Sequence, residues 1–117
     1  MASVLVVDDD PAMRDSLDEV LRDEGHSVLL AENGLQALEL LRAEQKVCLM
    51  LLDVMMPVMT GIELLQKKRV EEAIARIPVI LMSAFQIDQL PREGVTSIFS
   101  KPFDTGALLK EVQRICP

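Results

Sequence analysis

The sequence predicts an α/β fold, a single parallel sheet of five strands with helices on both faces. Short apolar runs recur five times, at Val4 to Val7, Ser27 to Leu30, Val47 to Leu52, Val79 to Met82 and Ser97 to Phe99. Continuous runs of this length suit strands covered on both faces. Segments of helical period lie between them: Met13, Leu17, Val20 and Leu21 fall on one helix face, and Leu108, Val112, Ile115 and Cys116 repeat that spacing near the end. Strand and helix alternating in this way imply a parallel sheet with right-handed crossovers.

Helix-start signals agree with this order. Asp10 before Pro11 reads as an N-cap followed by a first-turn proline. Thr60 and Glu63 have capping-box spacing, and Asn33 and Asp104 are further N-cap candidates. No linker, low-complexity stretch or internal repeat interrupts the chain, so residues 1–117 are expected to form one domain.

The composition narrows the function classes. Half the residues are apolar but only three are aromatic, all Phe, so the core must be built from Val, Leu, Ile, Met and Ala. The net charge of −7 argues against direct binding to nucleic acid, which needs clustered Lys and Arg. Lys67, Lys68 and Arg69 form the only basic run and read as a solvated helix face. No signal peptide or membrane-length apolar run is present, so the expected location is cytoplasmic with no membrane contact. Cys48 and Cys116 lack CxxC spacing and nearby histidine pairs, so neither a disulfide framework nor a zinc site is expected. Cys48 reads as a small hydrophobe in a strand, and His26 as a loop residue.

In a parallel α/β sheet, ligands bind beyond the carboxyl ends of the strands, where strand order reverses. The residues just past those ends are Asp8 and Asp9, Asp53, Ser83, and Lys101 with Pro102. In the doubly wound, flavodoxin-like order 2-1-3-4-5, strands one and three are neighbours, which brings Asp8, Asp9 and Asp53 together with Ser83 and Lys101 to one side. Crowded carboxylates repel and raise one another's pKa unless a cation offsets them. A hard divalent ion such as Mg²⁺ fits oxygen donors of this kind and accepts phosphate oxygens as well. Lys101 adds a positive charge for a phosphate and Ser83 a hydroxyl donor, so the set suits phosphoryl transfer to a carboxylate nucleophile. Taken singly, an Asp after a strand is usually a turn or cap residue, a Ser a loop hydroxyl and a Lys a solvated charge. Their joint placement carries the argument; Asp10 alone stays an N-cap.

Four motifs, Val4 to Asp10 (VLVVDDD), Leu52 to Pro57 with Gly61, Met82 to Ala84, and Ser100 to Phe103 (SKPF), resemble the ordered motifs of bacterial two-component response-regulator receiver domains. The resemblance covers essentially the whole chain. It implies that Asp53 is the phosphoacceptor and that Asp9 is a direct Mg²⁺ ligand, with Asp8 acting through water and the Met55 backbone carbonyl completing the protein ligands. It further implies that Ser83 and Lys101 contact the phosphoryl group and that the Lys101–Pro102 bond is cis. The implied donor is a phosphohistidine on a sensor histidine kinase or histidine phosphotransfer protein, and the implied output a C-terminal domain or a downstream protein.

The chain departs from the family in two places. Ser83 to Lys101 spans eighteen positions, shorter than usual, with Gly94 in register, so the shortfall lies before Glu93. The helix expected between the fourth and fifth strands, over Phe85 to Pro91, should be short or irregular, because Pro91 limits it further. Ile98 also stands where the family usually has an aromatic residue. It reads as core, or as the sign of a modified switching route. Met55 and Phe85, two residues beyond Asp53 and Ser83, are apolar and offer nothing to orient an attacking water, so slow self-dephosphorylation is expected.

Three rival readings follow. A phosphatase-like hydrolase would want a carboxylate where Met55 stands. A flavodoxin-like cofactor binder would want a Gly/Ser/Thr-rich loop after strand one. A degenerate receiver acting as a phosphorylation-independent interaction module is motivated by the short fourth-helix region and Ile98, and opposed by the intact Asp8, Asp9, Asp53, Ser83 and Lys101.

Overall fold

The computed structural model describes residues 2–43, 46–56, 58–84, 90 and 92–117. Its elements run β1 Ser3–Val7, α1 Pro11–Asp23, β2 Ser27–Ala31, α2 Gly34–Ala43, β3 Val47–Asp53, α3 Gly61–Val70, β4 Val79–Ser83, β5 Ser97–Ser100 and α4 Thr105–Ile115. The strands form one parallel sheet in the order β2-β1-β3-β4-β5. Each expected strand is present, extended by one residue at one end. The segment expected to hold a shortened helix falls largely on residues 85–89 and 91, outside the described residues.

Strand alternation divides the core in two. Val4, Val6, Leu49, Leu51, Ile80 and Met82 face α1 and α4, packing with Leu17, Leu21, Leu108 and Val112. Leu5, Val7, Met50, Leu52, Val79 and Leu81 face α2 and α3, packing with Ala37, Leu38, Leu41, Leu64 and Leu65. With both faces covered, the strands show no polar alternation, which is why they read as continuous apolar runs.

The caps form as the sequence implies. The Asp10 side chain accepts from the Ala12 N–H, that of Asp104 from the Gly106 N–H, and that of Asn33 from the Gln36 N–H. Thr60 and Glu63 close a full capping box at the start of α3. No helix among the described residues is long and apolar enough to cross a membrane.

Two expectations are corrected. Lys68 is not on a solvated face but is only 2% exposed. Gly61, Leu64, Leu65 and Lys68 share the inward stripe of α3, so helical period overrode residue polarity. The Lys68 Nζ donates to the Ala75 carbonyl at 2.8 Å, pinning the turn after α3, and burial lowers its pKa. Lys67 and Arg69 are exposed as expected.

Cys48 and Cys116 form a disulfide, with Cα atoms 5.8 Å apart and 68 positions between them in sequence. The reason is local. The β1–β3 register shifts between Ser3 and Val4, whose partners are Val47 and Leu49, leaving Cys48 as the extra residue of a bulge. Cys48 and Leu49 then both join the cluster on the α1/α4 side, where Cys116 caps α4. Spacing rules for local motifs cannot detect such a pair.

A loop of this length closed in the unfolded state contributes about 4 kcal/mol. The Cys48→Ser, Cys116→Ser double variant is therefore expected to lose stability of that order in denaturant titration under oxidising conditions. An unchanged midpoint and slope would contradict the bridge.

Candidate functional site

The carboxyl ends of β1 and β3 lie side by side, since Val7 pairs with Leu52, each one residue before an aspartate, Asp8 or Asp53. Asp8, Asp9 and Asp53 consequently each offer a carboxylate oxygen within 4.8 Å of the others. Asp8 is fully buried, Asp53 is 6% exposed and Asp9 faces solvent. β4 and β5 bring the other two residues to the same edge: Ser83 pairs with Ser100, and the Lys101 N–H donates to the Ser83 carbonyl at 2.7 Å. The Lys101–Pro102 bond is cis, as expected.

Lys101 bridges the two buried carboxylates. Its Nζ lies 3.0 Å from Asp8 Oδ2 and 3.4 Å from Asp53 Oδ1. Burial disfavours its charge, but Asp8 and Asp53 outweigh burial and hold its pKa above the ordinary lysine value. Asp8 is fixed from three further directions. Its Oδ1 accepts from the Asp10 N–H at 2.9 Å, its N–H donates to the Ala31 carbonyl at 3.2 Å, and its carbonyl accepts from Arg14 Nη1 at 2.8 Å.

Asp53 is held differently. Burial first, and then the charge of Asp8, push its pKa up to about 6; Lys101 and the Met55 N–H pull it back in part. Beneath it, α3 approaches closely. A Cβ on Gly61 would lie 2.5 Å from the Asp53 carbonyl oxygen, so only glycine fits that contact without moving the end of β3. The loop between β3 and α3 leaves Met55 56% exposed and holds Val58 at φ 70°, a left-handed conformation costly for a β-branched residue.

All five residues singled out by strand-end placement thus meet at one edge of the sheet. Ser83 is buried there, 1% exposed. Ile98, beside Leu81, is half-buried against the cluster on the α2/α3 side. Phe85 lies outside the described residues. Sequence reasoning missed Arg14. The signal was available, because a first-turn position of α1 points back along the helix toward the end of β1.

The fold and this edge define a receiver-type α/β domain. The family model of the response regulator receiver domain matches residues 4–113, and the chain belongs to that family. Such domains are signalling domains of two-component systems rather than classical enzymes. The chain is 36% identical to sporulation initiation phosphotransferase F of Bacillus subtilis, covering 97% of this chain and 93% of that one. Among solved structures it is similar to response regulator protein TrrA of Thermotoga maritima in complex with Mg(2+)-BeF, with a TM-score of 0.87, 30% identity and coverage of 98% and 99% of the two chains. It is also similar to the receiver domain of a sensor histidine kinase of Pseudomonas aeruginosa with magnesium coordinated in its active-site cleft, with a TM-score of 0.86, 28% identity and coverage of 97% and 96%.

The raised Asp53 pKa has a consequence for stability. It is about 6 in the folded chain against an ordinary 3.8. Between those values the folded chain holds one proton more than the unfolded chain, so stability falls as pH rises through that window. The loss is on the order of 2–3 kcal/mol. In metal-free solution Asp53→Asn is expected to abolish this loss, making the variant more stable than the parent near neutral pH and similar to it below the window. Parallel stability–pH curves in denaturant titrations would contradict the assignment.

Proposed function

We propose that this chain is a phosphoacceptor that takes a phosphoryl group onto Asp53 from a phosphohistidine of a sensor histidine kinase or histidine phosphotransfer protein, in a Mg²⁺-dependent reaction, and switches conformation to control an output. The observation that carries the proposal is the convergence of Asp8, Asp9 and Asp53 oxygens within 4.8 Å, with Lys101 bridging the two buried carboxylates.

The donor set fits a hard divalent cation. Three carboxylates converge, all ligand atoms are oxygens, and Asp53 titrates high because a single lysine only partly offsets its burial and its neighbour Asp8. Asp9 and Asp53 would hold Mg²⁺ directly, Asp8 through water, and Met55 through its backbone carbonyl. When bound, the ion supplies charge for the phosphoryl oxygens and keeps Asp53 ionised.

The chain's own residues then divide the work. An Asp53 carboxylate oxygen attacks phosphorus. The phosphorus–nitrogen bond of the donor breaks as the oxygen–phosphorus bond forms, leaving an acyl phosphate. Lys101 would follow an equatorial phosphoryl oxygen, and the Ser83 hydroxyl would donate to another. Movement of either toward the new dianion would alter packing near Ile98 and along β4 and β5. Met55 is exposed and apolar, with no group to orient a hydrolytic water, so slow self-dephosphorylation belongs to the same reading. So do a cytoplasmic location, output through a C-terminal domain or a downstream protein, and no direct contact with nucleic acid or membrane.

Incubation with acetyl phosphate and Mg²⁺ tests the proposal by intact mass. One added phosphoryl group is expected, lost when Mg²⁺ is chelated and lost in Asp53→Ala. An adduct that survives Asp53→Ala would contradict the assignment of the acceptor. No adduct from either acetyl phosphate or a phosphohistidine donor would favour a phosphorylation-independent module.

A further inference from the structure

The Cys48–Cys116 bridge lies at the opposite end of the sheet from Asp53, since β3 carries Cys48 near its start and Asp53 at its finish. Its surroundings are not those of a sealed structural bridge. Both cysteines line an open cleft of about 190 Å³, together with Gly25, His26, Ser27 and Pro117. Cys48 is half-buried and Cys116 is 5% exposed, so Cys48 is the less covered residue of the pair. His26 is the one titratable side chain among the residues lining that cleft.

We infer that this cleft is a thiol–disulfide exchange site, at which a dithiol reductant opens the Cys48–Cys116 bridge and frees the C-terminal turn of α4. The inference rests on the cleft, the bulge and the cap of α4, and stands apart from the phosphoacceptor reading.

The exchange balances as follows. A reductant thiolate attacks Cys48 Sγ, forming a mixed disulfide, and the bond's electron pair leaves on Cys116 Sγ. The reductant's second thiol then displaces Cys48 and closes the reductant's own disulfide, so the protein gains two electrons and two protons. A departing thiolate on Cys116 sits at the C-terminal end of α4, where the helix dipole disfavours negative charge. A proton donor in the cleft would remove that obstacle, and His26 lines the same cleft.

The mechanical effect follows from the cap. Besides the bridge, the end of α4 is held by the bond from the Cys116 N–H to the Val112 carbonyl, the packing of Ile115 and Cys116, and the Arg114–Glu111 pair. The last turn of a helix opens more readily than its middle. Cys48 is the unpaired residue of the bulge, so opening the bond removes no β1–β3 pair.

The test uses the intact chain. The protein is treated with a small dithiol without denaturant, pulsed with iodoacetamide and weighed, with hydrogen exchange followed over residues 112–117. The inference predicts double alkylation far faster than global unfolding, faster exchange confined to 112–117 with β3 still protected, and several-fold slower opening in His26→Gln at unchanged unfolding midpoint. Three results would overturn it: both thiols alkylated after mild oxidation with no reductant, opening no faster than global unfolding, or loss of protection throughout β3. An unchanged rate in His26→Gln would remove the histidine from the site.

Discussion

Two buried carboxylates that cannot both be comfortable organise the functional end of this protein. Asp8 and Asp53 stand at the ends of adjacent strands, and the ammonium of Lys101 lies between them at 3.0 and 3.4 Å. One positive charge against two negative ones leaves the set short of compensation, and burial together with the charge of Asp8 pushes the Asp53 pKa up to about 6. A site left in that condition favours an added cation and, once it is present, an oxygen-rich anion beside it. Affinity for metal and affinity for phosphoryl oxygens thus share one electrostatic cause.

The rest of the fold keeps that arrangement from relaxing. Asp8 could escape Asp53 only by moving the end of β1, which the Ala31 carbonyl, the Asp10 N–H and Arg14 all hold. Asp53 could escape only by moving the end of β3, which abuts the backbone at Gly61. The sheet beneath is packed on both faces by separate apolar clusters, so its strand ends are fixed relative to one another. Energy gained in burying Val, Leu, Ile and Met side chains is what maintains the unfavourable contact between carboxylates.

Most of this was legible in the sequence because two periods and one topological rule sufficed. Continuous apolar runs marked strands covered on both faces, the 3.6-residue stripe marked α1 and α4, and strand-end placement gathered Asp8, Asp9, Asp53, Ser83 and Lys101. Two features escaped for different physical reasons. Lys68 was judged by its charge, although its position on α3 put it inward, and its long stem lets an ammonium reach the Ala75 carbonyl from within the core. The Cys48–Cys116 bridge depends on a bulge that reverses the facing of a single residue, and no pattern of period two anticipates that. Arg14 was overlooked because it serves a backbone carbonyl and not a charged partner.

Lys101 only partly relieves the strain between Asp8 and Asp53. Carbon-detected NMR titration of the Asp53 carboxyl, metal-free, tests it most directly. The account predicts a midpoint near 6, moving higher in Lys101→Met and lower when Mg²⁺ is added. A midpoint at the ordinary aspartate value, indifferent to Lys101→Met, would contradict it.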